Sequence, residues 1–182
     1  MHDNQNITQK SRIILMGYMG SGKSTIGLLL AKHLNFDFVD LDQYISEKEV
    51  STVPEIFKSK GEIYFRKKES LYLNEVLQFD NVVIALGGGT PCYAGNMALV
   101  ASQAGVMSLY LKASIGLLAG RLWSERERRP LISHIDKKEE LVEFIGKHLF
   151  ERSQFYNLAD VVVSIDGRNL DEIVEIIDKH LF

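Results

Sequence analysis

The sequence is poor in most of the features that tie a chain to a special environment. It has a single cysteine, Cys92, in 182 residues. One thiol excludes an internal disulfide framework and a zinc site built on cysteines, and it reads instead as a small buried apolar side chain. No apolar run approaches the roughly 20 residues that a membrane-spanning helix needs. The first ten residues, MHDNQNITQK, are polar where a secretory signal would carry an apolar stretch. A cytoplasmic protein with a frayed tail over residues 1–10 is therefore expected. Charge excess is lacking too, since 21 Lys and Arg stand against 24 Asp and Glu for a net −3. That balance speaks against a nucleic-acid or membrane partner, either of which favours a strongly basic surface. The five histidines show no metal-ligand spacing and read as surface or packing residues.

There is also no internal repeat, low-complexity stretch or linker rich in Pro, Gly and Ser. With 46% hydrophobic residues, residues 1–182 suffice for one domain with its own core. What the chain does contain is alternation. Short apolar runs occur at 12–16 (RIILM), 36–40 (FDFVD), 82–86 (VVIAL), 106–111 (VMSLYL) and 160–165 (DVVVSI). Their unbroken hydrophobicity suits strands buried on both faces of a parallel sheet. Helical spacing separates them. Ile26, Leu29, Leu30 and Leu34 mark a crossover helix over 22–34, and Leu170, Ile173, Ile176, Ile177 and Leu181 mark a closing one over 170–181. The spacing predicts a three-layer α/β/α fold with five parallel strands. Residues 41–80 form a helical insertion, and 123–137 a charge-dense segment after a helix that begins near Ala113.

Residues 17–24, GYMGSGKS, match G-x-x-x-x-G-K-[ST] at every fixed position, with a strand before and a helix after. This is a phosphate-binding P-loop, and Gly20, Ser21, Gly22, Lys23, Ser24 and Thr25 are the expected ATP-binding residues. Its glycines let backbone N–H groups wrap around phosphate oxygens, and the helix N-terminus adds a positive dipole. Lys23 would hold the β- and γ-phosphates, and the Ser24 hydroxyl would ligate Mg²⁺.

The metal's second carboxylate cannot follow the run at 82–86, which ends in Gly87-Gly88-Gly89. Asp40 and Asp42 offer alternatives after the second strand. If the chain is still extended there, both project the same way at the C-terminal edge of the sheet. Asp40 is assigned to the Mg²⁺ shell through water, and Asp42 to an acceptor hydroxyl as orienter or general base. The alternative is that one or both cap a helix starting near Gln43. Gly87, Gly88 and Gly89 read as a surface against which substrate lies, or as a tight turn.

The arginines have two readings each. Arg66 has Glu62 at i−4 and Glu69 at i+3, which allows ordinary surface pairs; it equally allows a guanidinium fork that grips a substrate carboxylate. Arg126, Arg128 and Arg129, ahead of Pro130, form either a solvated face or a loop that closes over ATP.

Taken together, the landmarks resemble the shikimate kinase family, and the resemblance runs from Arg12 almost to the end. They are GYMGSGKSTIG, the D-x-D of Asp40 and Asp42, GEIYFRKKE at 61–69, the glycines at 87–89, RPLI at 129–132, and Arg152 followed closely by a tyrosine. The resemblance implies a P-loop kinase with a substrate-binding insertion at 41–80 and a mobile lid at 123–137. It implies a monomer that converts ATP and shikimate to ADP and shikimate 3-phosphate with Mg²⁺, in aromatic amino-acid biosynthesis. It also implies that Asp42, Arg66, Gly88 and Arg152 bind shikimate, the arginines taking its carboxylate. Lys23 and Arg129 would stabilise the transferring phosphate, and Arg121 and Arg168 would contact adenine. Three places depart from the family pattern: Leu41 between the aspartates, Thr90-Pro91 after the glycines, and Ser153-Gln154-Phe155 after Arg152. Two other readings are a kinase of another hydroxylated acid such as gluconate, which needs no pair of arginines, and a nucleotide switch, which leaves Asp42 without a purpose.

Overall fold

The computed structural model describes residues 11–93 and 95–181; the tail expected over residues 1–10 lies outside them. Five parallel strands, β1 (Arg12–Met16), β2 (Asp37–Asp40), β3 (Val82–Ala85), β4 (Val106–Lys112) and β5 (Val161–Ser164), form one sheet in the order β2-β3-β1-β4-β5. β1 thus lies at the centre, with β3 on one side and β4 on the other. The crevice where connections diverge in an open α/β sheet is its ligand site, and here it lies beyond the C-terminal end of β1.

Alternation of side chains along β1 divides the core in two. Ile13 and Leu15 face a layer containing α1 (Lys23–Leu34), α5 (Ile115–Glu125) and α7 (Leu170–Leu181). Ile14 and Met16 face α2 (Leu41–Glu49), α3 (Val53–Val76) and α4 (Asn96–Ala101). All four β1 side chains are fully buried, each worth about 1.5–3 kcal/mol relative to exposure. The remaining helix, α6 (Lys138–Tyr156), joins the layers: Leu141 and Ile145 belong to the first core and Tyr156 to the second. That crossing brings the last turns of α6, with Arg152, to the end of the sheet. No helix among the described residues is long and apolar enough to cross a membrane.

The elements stand where the apolar runs predict them, with ends shifted by one or two residues as caps decide. β2 starts at Asp37, β3 stops at Ala85 and β5 is shorter at both ends. Helix α1 starts at Lys23 because Gly22, at φ 89°, is its left-handed N-cap, and no side chain caps it. Helix α5 starts at Ile115 because the Ser114 side chain accepts from the Leu117 amide. Helix α3 opens with a capping box between Thr52 and Glu55 and is kinked at Gly61 (φ 81°, ψ 171°), a conformation that essentially only glycine adopts. The segment 123–137 is not uniform. It carries the end of α5, a 3₁₀ turn at Arg126–Arg128, and then Ile132 and Ile135, both buried in the first core.

Candidate active site

The P-loop leaves β1 and runs into the uncapped start of α1. The Lys23 ammonium donates to the carbonyl oxygens of Gly17 at 3.0 Å and Tyr18 at 3.2 Å, so the loop itself cradles it. Loss of hydration lowers its pKa to about 8, against the pull of Asp42 and Asp40, and the nearby cations Arg129 and Arg152 push the same way as desolvation. Arg121 donates to Gly20 O at 3.0 Å and so lies against the loop from α5. Arg168 donates to Ser164 O within its own β5–α7 turn. Thr25 is exposed in the first turn of α1.

The chain is not extended from Asp40 to Asp42, and the expectation that both carboxylates project together for that reason is wrong. Asp40 is the N-cap of α2 and accepts from the amides of Asp42 and Gln43. The helix starts at Leu41, two residues earlier than the Gln43 start, because Leu41 is fully buried in the second core. Successive helical positions turn by about 100°, so the two aspartates diverge. Asp40 nevertheless serves the P-loop as well as the cap, because its second oxygen accepts from Ser24 Oγ at 2.6 Å. Asp42 turns instead toward the glycines, and burial raises its pKa to about 6; Asp40 and Glu69 add to the rise, while Lys23 and Arg66 oppose it.

Gly87, Gly88 and Gly89 each face one candidate side chain. A Cβ on Gly87 would stand 2.7 Å from Asp42 Oδ1, one on Gly88 3.9 Å from Arg152 Nη1, and one on Gly89 3.0 Å from Arg66 Nη2. Side chains press tightly on the strip at Gly87 and Gly89, whereas at Gly88 Arg152 is at ordinary contact distance.

Arg66 makes the ion pairs that its spacing allows, though not as a purely surface residue. It pairs with Glu69 at 2.8 Å and weakly with Glu62 at 3.4 Å, yet the Glu69 pair is not a surface pair, because that carboxylate is 1% exposed. Glu69 also accepts from Thr90 Oγ1 at 2.6 Å, and Asn96 donates to Thr90 O at 2.8 Å. Arg152, by contrast, pairs with no carboxylate among the described residues; its guanidinium lies 5.6 Å from the centre of the Tyr18 ring. The Tyr18 hydroxyl is 3.0 Å from His148 Nδ1, and His148 lines the same cleft one helical turn before Arg152. His148 also packs on Tyr18 and Phe144, as expected of a packing histidine. Tyr156 donates its hydroxyl to Gly88 O and so fixes the strip from below. Arg129 pairs with Glu125, with contacts of 2.9 and 2.6 Å.

Three of these partners were hidden in the sequence. Glu69 was visible only as a charge at i+3, Thr90 only as a departure from a family pattern, and Tyr156 only as a tyrosine trailing Arg152. The periodic signal that would have found Glu69 is its place at i+4 from buried Phe65 and i−4 from buried Leu73.

Comparison with known proteins points one way. The sequence model of the family described as shikimate kinase matches residues 19–181. A shikimate kinase of Flavobacterium johnsoniae is 48% identical over 165 residues, which is 90% of this chain and 95% of that one. One from Flavobacterium psychrophilum is 44% identical over 94% of this chain and 99% of its own. Among solved structures, a shikimate kinase from Bacteroides thetaiotaomicron superposes with a TM-score of 0.86 at 36% identity, over 94% of this chain and 98% of that one. One from Acinetobacter baumannii in complex with shikimate gives 0.82 at 28% identity, over 94% and 92%. A gluconokinase from Sinorhizobium meliloti, at 17% identity and 0.54 over 95% and 92%, shares the fold alone.

Proposed function

Because this chain belongs to the shikimate kinase family and is an ATP-dependent kinase that phosphorylates shikimate, we propose that Arg66 and Arg152 grip the shikimate carboxylate while Asp42 takes the acceptor hydroxyl. The observation that carries this division is the glycine strip, with Asp42 at one end and the two guanidinium groups over its other two residues. A flat ring lying on the strip spans them. Two arginine forks supply charge-assisted, directional bonds that a carboxylate matches. The gluconate reading leaves this pair unexplained, and the switch reading leaves Asp42 idle.

In the reaction, the acceptor oxygen attacks the γ-phosphorus in line, its proton passes to the Asp42 carboxylate, and the bond to the β-γ bridging oxygen breaks to release ADP. Lys23, on the loop, and Arg129, released from Glu125 as residues 126–131 fold over the nucleotide, neutralise the oxygens of the transferring group. The amides from Gly20 to Thr25 hold the phosphates. Arg121 and Arg168 flank the adenine from α5 and the β5–α7 turn.

Ser24 Oγ and Asp40 Oδ2 are an all-oxygen pair 2.6 Å apart, and among the described residues no cluster of three or more metal-binding side chains exists. That sparse, hard donor set fits Mg²⁺, which keeps most of its water and takes its other ligands from phosphate. Ser24 would ligate it directly and Asp40 through water. The ion, when bound, supplies charge neutralisation on the β- and γ-phosphates.

The test is ADP release from MgATP with shikimate, with gluconate and with no acceptor. Rapid release is expected with shikimate alone. Release no faster with shikimate than without acceptor would overturn the assignment.

A further inference from the structure

The segment after the glycines, beginning at Thr90-Pro91, builds something. Residues Thr90–Cys92 form a 3₁₀ turn with Pro91 in its first positions, and that turn delivers Tyr93 over Arg66. The guanidinium carbon of Arg66 lies 4.0 Å from the centre of the Tyr93 ring. Gly89 stands so close to the same group that a Cβ there would meet both terminal nitrogens at 3.0 and 3.1 Å. In the plane, Glu69 takes one N–H at 2.8 Å, and Glu69 itself is held by Thr90. One short turn therefore touches Arg66 twice, through Tyr93 directly and through Thr90 by way of Glu69.

We propose that Tyr93 is a positioning residue for the reaction: its ring face fixes the plane of the Arg66 guanidinium, so that the fork is already aimed at the substrate carboxylate before shikimate arrives. A guanidinium on a long side chain has several rotamers to lose when it binds. Held close to both an aromatic ring and a glycine backbone, it has few. The attraction is between the cation and the ring's electron-rich face, and needs no hydroxyl. Tyr93 is itself 39% exposed, which leaves the ring room to act as a wall of the cleft it also lines.

This inference rests on Arg66 as a carboxylate ligand, so the experiment must separate the two. Steady-state constants for both substrates are measured for Tyr93→Ala, Tyr93→Leu, Tyr93→Phe and Arg66→Lys. Tyr93→Ala is expected to raise the shikimate KM about 3- to 30-fold, with kcat and the ATP KM unchanged. Tyr93→Leu, which keeps bulk without an aromatic face, should resemble Tyr93→Ala and serves in its place if the alanine variant does not fold. Tyr93→Phe should behave as wild type. A rise in shikimate KM for Arg66→Lys with wild-type constants for both Tyr93→Ala and Tyr93→Leu sinks the positioning role alone. An equal loss in kcat and both KM values, or a Phe variant as poor as the Ala variant, sinks it too. If Arg66→Lys leaves the shikimate KM unchanged, the carboxylate reading falls first.

Discussion

The Asp42 carboxylate fills the space where Gly87 has no side chain. A Cβ there would stand 2.7 Å from Asp42 Oδ1 and 2.9 Å from Thr90 Oγ1, well inside contact distance. The positions of Asp42 and of Thr90, which holds Glu69 beside Arg66, therefore both depend on one missing methyl group.

Gly87→Ala should accordingly act as a catalytic lesion. Displacing a reacting group by about 1 Å can cost on the order of 10²-fold, so kcat is expected to fall about 10- to 100-fold. Overpacking should lower stability by about 1–3 kcal/mol. A folded variant with wild-type kcat would show that Asp42 need not sit where it does.

The pH profile follows from two opposed shifts. Asp42 must be ionised to accept a proton, and its pKa is raised to about 6; Lys23 must be charged, and its pKa is lowered to about 8. A bell with limbs near those values is expected for kcat/KM of ATP, which reports the free enzyme. Bound phosphates should move the alkaline limb upward in kcat. Asp42→Asn should lower kcat and abolish the acid limb. Stability moves the other way: between the ordinary 3.8 and about 6 the native state holds the proton more tightly, so ionising Asp42 costs stability as pH rises through 6. Asp42→Asn should be the more stable protein above pH 6, by on the order of 3 kcal/mol, and lose that advantage below pH 4. Denaturant titrations at the two pH values decide it.

The two arginines should separate in stability while agreeing in binding. Charge-assisted bonds are worth about 1.5–3 kcal/mol each, so Arg66→Ala and Arg152→Ala should each reduce kcat/KM for shikimate roughly tenfold to several hundredfold. Lysine should rescue little, and the ATP KM should barely change. Only Arg66→Ala leaves a buried carboxylate, Glu69, without its cation. Breaking a buried pair costs about 3–5 kcal/mol, so its melting temperature should drop while that of Arg152→Ala stays near wild type. Equal melting temperatures would mean that Glu69 does not need Arg66.

The moving part of the lid should be shorter than 123–137. Ile132 and Ile135 are core residues, whereas Leu131 is 53% exposed and faces Val53 and Phe57 across the cleft. Trypsin should cut after Arg126 or Arg128 in the free enzyme, and ADP with shikimate should slow that cut severalfold. Unchanged cleavage with both ligands present would count against closure.

The sheet, the P-loop and the order of landmarks were legible because each is a local pattern: unbroken apolar runs, a helix period, a fixed glycine spacing. The errors arose where a tertiary contact outranked the local one. Burial of Leu41 pulls the start of α2 forward and turns Asp40 into a cap, which no spacing rule from the strand side reveals. Glu69 looks like a surface partner of Arg66 until the turn at Thr90 closes over it. The bond from Tyr156 to Gly88 links positions 68 residues apart, and no window on the sequence is that wide.

Helix α1 begins with no side chain to cap it, and the consequence is thermodynamic. The first amides of a helix have no partner within it, and here no side chain caps them, so phosphate can take that place. The nucleotide thus acts as a removable structural part, bound by the native chain and not by the unfolded one. At a free concentration one hundred times its dissociation constant, such a ligand adds about 2.7 kcal/mol to the unfolding free energy. The durability of this enzyme is therefore not a constant of its sequence but a function of how well it is supplied with ATP.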